Sequence, residues 1–185
     1  MVRCFIAVEC NEAKIITGIR NVQGLLETTG GKLKHVEPEN IHLTLKFLGE
    51  IEHNKADQVK KIIEEISFKP FWVKVEGVGV FPNLSRPRTV WAGVSKGKEE
   101  LTEIFEEVDE KMFELGFDKE RRRFHPHFTI SRVRSGRNRE SLVEELMRLQ
   151  DHPFGEINVD HIELKKSVLT PSGPIYSTLA KSKQK

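Results

Sequence analysis

Two short segments share an order of residues that constrains this chain more than any other feature. His42-Leu43-Thr44-Leu45, inside IHLTLKF (residues 41–47), recurs as His127-Phe128-Thr129-Ile130, inside FHPHFTISR (residues 124–132). Polar and apolar residues alternate in both, which is the period of a half-buried β-strand. Each strand then has an apolar face to bury, Leu43 with Leu45 and Phe128 with Ile130. The other face carries His42 with Thr44 and His127 with Thr129, each pair about 6.6 Å apart along its strand. A lone His-x-Thr says little. Two copies with matching apolar positions point to two similar halves around a shared groove.

The hydrophobic period elsewhere switches between helix and strand. Residues 2–8 read as a strand, and residues 12–28 put Ile15, Ile16, Ile19, Val22, Leu25 and Leu26 on one helical stripe that Gly30 and Gly31 end. After the strand at 41–49, Asn54 opens a helix with Val59, Ile62, Ile63 and Ile66 inward. Residues 71–81 and 89–95 are strands joined by the turn-rich PNLSRPR. A long helix carries Leu101, Ile104, Phe105, Val108, Met112 and Leu115 and stops at Gly116; a shorter one after the second motif carries Leu142, Val143, Leu146 and Leu149. Strands near 155–168 and 174–181 close the chain. Hairpin connections between mixed elements predict an antiparallel α+β arrangement, not a doubly wound parallel sheet. With 185 residues, one domain over 1–185 is expected, its charged tail frayed from about residue 182.

Composition excludes some classes. No apolar stretch approaches the ~20 residues needed to cross a bilayer. The apolar run in MVRCFIAVEC ends at Glu9, too short for a signal segment, so a cytoplasmic protein is expected. Cys4 and Cys10 form neither a zinc motif nor a disulfide framework and read as buried, inert thiols. The charged fraction is 31%, rich in Lys and Glu, and leans towards heat adaptation. The net charge of +2 decides nothing, but its distribution does: eight of the twelve arginines lie between residues 121 and 148, against Glu140, Glu144 and Glu145. Arginine's planar fork suits phosphate, which makes Arg121, Arg122 and Arg123 candidates for a phosphate contact; a solvated loop and helix face is the alternative.

Imidazoles with a free pKa of about 6.5 can act as base and acid near neutral pH. In-line displacement at phosphorus needs a base behind the attacking oxygen and an acid beside the leaving oxygen. Two histidines on two strands can supply both, and threonine hydroxyls can donate to the non-bridging oxygens. A metal site is the competing reading, since His125 and His127 form an HxH pair and His35, His53, His152 and His161 are available. Neither motif contains Asp, Glu or Cys, and threonine is a poor zinc ligand, so no metal is expected. His125, before a proline, is expected at the strand entrance facing solvent.

With these residues in view, the chain resembles the two-histidine phosphoesterases, and among them the RNA 2′,3′-cyclic phosphodiesterases first described as 2′-5′ RNA ligases. The resemblance runs through RCFIAV, NIHLTLKFLGE, RPRTVWAGV, RRRFHPHFTISR and SVLTPSGPIYSTL, nearly the whole length. It implies a bilobal α+β fold, with two antiparallel sheets related by a pseudo-two-fold axis around a cleft and helices outside. It implies hydrolysis of an RNA 2′,3′-cyclic phosphate to a 2′-phosphomonoester without metal, ATP or other cofactor. By the same resemblance His42 is the proton donor to the leaving 3′ oxygen and His127 the proton acceptor that activates water. Thr44, Thr129 and Arg132 match phosphate-contacting positions. The implied partner is RNA with a cyclic end, tRNA fragments among the candidates, and 2′-5′ ligation is the reverse reaction. A non-catalytic RNA-binding module, or an enzyme acting on a small cyclic nucleotide, remains the alternative. Phe5, Phe47 and Tyr176 are candidates to stack a base, or equally to pack the core.

Overall fold

In a computed structural model describing residues 1–185, the first strand, β1 (Val2–Glu9), is buried along most of its length and pairs on both edges. On one edge lies β3 (His42–Ile51), and on the other β9 (Glu163–Thr170), which pairs in turn with β10 (Gly173–Lys181). The second half repeats the plan. There β7 (His127–Val133) pairs with β6 (Thr89–Lys96), β6 with β5 (Phe71–Phe81), and β5 with β8 (Pro153–Val159). The strand order is β10-β9-β1-β3-β7-β6-β5-β8, so each motif strand is the innermost of four. Every pairing along this path is antiparallel, as the α+β reading expects.

The expected two sheets are one. They meet at β3–β7 through a single pair, Leu43 opposite Phe128, giving a continuous nine-stranded sheet. The junction is narrow because the short β2 (Leu33–His35) takes over the same edge of β7 from Ser131 onward.

Four helices cover the apolar face. In α1 (Ala13–Thr28) the buried positions Ile15, Ile19, Val22 and Leu26 recur at spacings of three and four, and Glu12 caps its start by accepting from the Lys14 N–H. Leu25, expected on that stripe, is exposed, and Gln23 is buried instead. The second helix, α2 (His53–Glu65), begins one residue before the expected Asn54. The third, α3 (Lys98–Glu114), follows Gly97 at φ 84 and ends before Gly116 at φ 85, backbone that favours glycine. The fourth is α4 (Arg139–Arg148). Residues from all four helices and both halves of the sheet join one core of 39 buried residues, Leu43, Leu45, Phe128 and Ile130 among them.

Two expectations are revised at the C-terminus. The stretch near 155–168 resolves into β8 and β9, parted at Asp160–Ile162 where the chain passes from the edge beside β5 to the strand beside β1. The tail expected to fray is held by its backbone. There β11 (Lys183–Gln184) lies parallel to β4 (Ser67–Phe68), and the Lys183 and Lys185 N–H groups donate to Ile66 O and Phe68 O.

Candidate active site

Alternation along β3 and β7 buries Leu43 and Phe128 and turns His42, Thr44, His127 and Thr129 to the face away from the core. Extending the Leu43–Phe128 pairing by one residue each way sets His42 opposite Thr129 and Thr44 opposite His127. The four motif side chains therefore meet across the junction of the two halves.

Both rings are held the same way. The Nδ1–H of His42 donates to Asn40 O at 2.8 Å, and the Nδ1–H of His127 donates to His125 O at 2.6 Å. In each case the acceptor is the carbonyl two residues upstream, so the backbone itself selects the tautomer and leaves Nε2 as the working nitrogen. His42 Nε2 lies 3.0 Å from Thr44 Oγ1. Aromatic walls restrict both rings: Phe5 and Tyr176 lie 4.8 and 5.4 Å from His42, and Phe81 and Trp91 lie 4.9 and 6.0 Å from His127. Trp91 lies flat only because its cross-strand partner is Gly79; a Cβ there would sit 2.2 Å from the indole.

Burial holds both imidazoles below their ordinary pKa. For His42 the Asn40 carbonyl opposes that shift, while Lys165 and His127 add to it. For His127 the His125 carbonyl opposes it, while His125 and Arg132 add to it. Both rings are thus biased towards the neutral form in the free protein, ready to accept a proton and easily charged by an approaching anion.

Arg132 reaches this face through a feature that simple alternation misses. Three residues after Thr129, it would point into the core. The pairing of β7 with β6 shifts by one between Val90–Ser131 and Trp91–Thr129, leaving Ile130 as an extra residue. Such a bulge inverts the side-chain sense beyond it. Ile130 and Ser131 are both buried, and Arg132 emerges exposed on the site side, its Nη1 3.4 Å from Thr89 Oγ1. Strand β3 does the same. Its pairing with β1 shifts between Ala7–Thr44 and Ile6–Lys46, Leu45 is the extra residue, and Phe47 emerges exposed. The six-residue pattern is therefore shared, HLTLKF against HFTISR, with Phe47 where the other half has Arg132.

Each bulge is backed by a buried polar side chain from a helix. Gln23 of α1 donates to Ile130 O and Val36 O, both at 2.9 Å. Asp109 of α3 pairs with Lys46, which also donates to Asp118 O at 2.8 Å. Asp109 further accepts from the Glu120 N–H at 3.2 Å, fixing the loop that leads into the second motif. Arg121, Arg122 and Arg123 are exposed on that loop, and the Arg121 and Arg122 N–H groups donate to Glu120 Oε1. His125 is exposed as expected, with its ring 4.8 Å from Trp91.

Of the stacking candidates, Phe5 is buried and packs 4.9 Å from Tyr176; Tyr176 is half-buried; Phe47 is 54% exposed with Arg3 over its ring at 4.9 Å. The remaining histidines, His35, His53, His152 and His161, do not gather with either motif into a cluster of three or more metal-ligating side chains. Cys4 and Cys10 are buried and free, and burial pushes the Cys10 thiol up to about 11. No helix is long and apolar enough to cross a membrane.

The sequence-family description that matches is "LigT like phosphoesterase", over residues 11–91 and 93–176, with one motif in each segment. The RNA 2′,3′-cyclic phosphodiesterase of Methanocaldococcus jannaschii is 40% identical over 177 residues, 96% of this chain and 98% of that protein. The enzyme of the same name from Aeropyrum pernix is 42% identical over 151 residues, 82% of this chain and 86% of its own length. A crystal structure from Thermus thermophilus superposes with a TM-score of 0.78 at 26% identity, covering 97% of this chain and 96% of the other.

Proposed function

Because this chain belongs to the LigT-like phosphoesterase family, we propose that it hydrolyses RNA 2′,3′-cyclic phosphate ends to 2′-phosphomonoesters by acid–base catalysis between two histidines. The observation that carries the reading is the identical anchoring of His42 and His127. Each Nδ1 is bound to the backbone carbonyl two residues upstream, and each Nε2 is left for chemistry.

In this reading the cyclic phosphate lies over the β3–β7 junction. His127 Nε2 takes a proton from the attacking water as the new P–O bond forms. His42, protonated under the influence of the anionic substrate, gives its Nε2 proton to the departing 3′ oxygen as the P–O3′ bond breaks. The 2′-phosphate remains, and proton exchange with solvent resets the pair. Thr44 and Thr129 donate to the non-bridging oxygens, with Thr44 turning away from His42 to do so, and Arg132 adds a charged donor. No metal or cofactor takes part. With the 5′-hydroxyl of another RNA in place of water, the same displacement, with the P–O3′ bond breaking and the 3′ oxygen protonated by His42, forms a 2′-5′ linkage. Arg121, Arg122 and Arg123 belong to the RNA path. The chain works as one two-lobed domain in the cytoplasm, on RNA ends that include tRNA fragments.

The test is incubation with an RNA ending in 2′,3′-cyclic phosphate, with and without excess chelator, followed by identification of the product. A 2′-phosphate formed equally fast in both is expected. Chelator-sensitive turnover restored by zinc or manganese would move the site to the metal class. A 3′-phosphate would mean that the ester binds in the opposite orientation. Tight binding without turnover would make the chain an RNA-binding module.

A further inference from the structure

A cavity of about 310 Å³ opens just beyond the end of β7, within the size range of small-ligand sites. Ser85, Arg86 and Arg88 line it from the β5–β6 loop, and Arg134, Ser135 and Arg139 line it from the segment that leads into α4. None of its ten lining residues is acidic.

Outside the cavity Arg20, Arg121, Arg122, Arg123 and Arg137 are exposed and also make no ion pair, so what distinguishes the cavity is that four arginines face one hollow. Arg148 pairs with Glu145, and Arg3 lies over Phe47. The buried lysines Lys46 and Lys165 have Asp109, Glu9 and Glu163. In the cavity Arg139 donates to Ser85 O at 3.2 Å, while Arg86, Arg88 and Arg134 have no ion pair or side-chain hydrogen bond within the chain. Four exposed guanidinium groups around one hollow repel one another, a repulsion that solvent screens in part and that an anion bound among them would offset directly. The wall also includes Arg139 and Leu142 of α4.

The cavity continues the motif strand. Arg132 pairs with Thr89, and the adjoining residues are joined by the Val133 N–H to Arg88 O bond at 2.9 Å. Val133 lies four residues from Thr129, roughly 13 Å along the strand. A cyclic 2′,3′-phosphate closes the 3′ end of an RNA, so the rest of the strand can leave the site only in the 5′ direction. We propose that the arginine-lined cavity beyond β7 binds a backbone phosphate of the RNA upstream of its cyclic end. This rests on the function proposed above and adds a determinant of substrate length to it.

The test compares wild type with Arg86→Gln/Arg134→Gln on two substrates across a salt series: a nucleoside 2′,3′-cyclic monophosphate and an oligoribonucleotide with the same cyclic end. The double variant should lose roughly tenfold or more in kcat/KM on the oligonucleotide, through KM. Its log–log salt slope should flatten by about 0.7 for each phosphate that the variant no longer neutralises. Turnover of the mononucleotide should be unchanged, which also reports that the variant folds. Replacing the upstream phosphodiesters by uncharged methylphosphonates should reproduce the loss in wild type and cost the variant nothing more. An unchanged KM and salt slope on the oligonucleotide, or equal losses on both substrates, would overturn the proposal. So would methylphosphonate sensitivity that is the same in wild type and variant. A wild-type protein that hydrolyses neither substrate would instead overturn the function on which the proposal rests.

Discussion

Strands β3 and β7 are alike for five residues and part at the sixth. Each runs histidine, buried apolar residue, threonine, buried apolar bulge and a further buried residue before returning to the surface. Each histidine is fixed through Nδ1 by the carbonyl two residues before it. At the sixth position one strand presents Phe47 and the other Arg132. The shared part is what proton transfer needs, two imidazoles held alike. The divergent position is what a substrate with two unlike ends needs, an apolar ring on one side and a cation on the other. In the function proposed above, the shared part would serve the chemistry and the divergent position would set the direction in which a nucleotide lies.

The largest test of this comparison is to remove each ring. His42→Ala and His127→Ala should each lower turnover by at least ~100-fold, the scale of a lost general acid or base. If the two act as a unit, the double variant should be scarcely worse than the worse single one. Near-wild-type turnover in either single variant would make the matched anchoring a structural coincidence.

The supports beneath the bulges differ in kind and should differ in cost. Asp109→Asn leaves the Lys46 ammonium buried beside a neutral amide, a loss on the scale of breaking a buried ion pair, about 3–5 kcal/mol. Gln23→Leu removes the donor shared by Ile130 O and Val36 O, about 1–3 kcal/mol, although Val36 N still donates to Ile130 O. Chemical denaturation of the two variants measures the difference. Equal losses would mean that the two halves are supported alike despite their different chemistry.

Those supports show where sequence reading reaches its limit. The motif histidines and threonines are legible because alternation places them, and the antiparallel α+β class because hairpins and amphipathic helices announce it. Arg132 is legible only by resemblance. Period two puts it on the wrong face, and the bulge that turns it round depends on pairing with β6, which is distant in sequence. Gln23 sits in a stripe that reads as purely apolar, and its role appears only once Ile130 O is seen beside it. The fusion of two expected sheets through Leu43 and Phe128 is likewise a matter of which edges meet.

The divergent position can be tested directly. Arg132→Gln removes a charge-assisted hydrogen bond to phosphate, worth about 1.5–3 kcal/mol, and should weaken kcat/KM on mononucleotide and oligonucleotide alike. Phe47→Ala should cost about 1–3 kcal/mol, the range for one stacked base, and should act on binding with little effect on the maximal rate. Losses confined to kcat in Phe47→Ala would deny it a place against the base.

The smallest effect is the most selective. The pH dependence of kcat/KM reports the acid and base of the free enzyme. Burial lowers both histidines, so the optimum should lie on the acid side of the ordinary imidazole value of about 6.5. The two limbs belong to the pair as macroscopic values, yet a perturbation aimed at one ring should move them unequally. Arg132 is among the charges that lower His127, whereas the charges acting on His42 are Lys165, His127 and Glu9. Removing the Arg132 cation lets His127 hold its proton to higher pH. Because His127 must be neutral to accept a proton from water, the acid limb of Arg132→Gln should move upward while the alkaline limb, set by His42 as donor, stays in place. Phe47→Ala carries no charge change and should move neither limb. A shift of the alkaline limb alone in Arg132→Gln would exchange the roles of the two histidines, with His42 the base and His127 the acid.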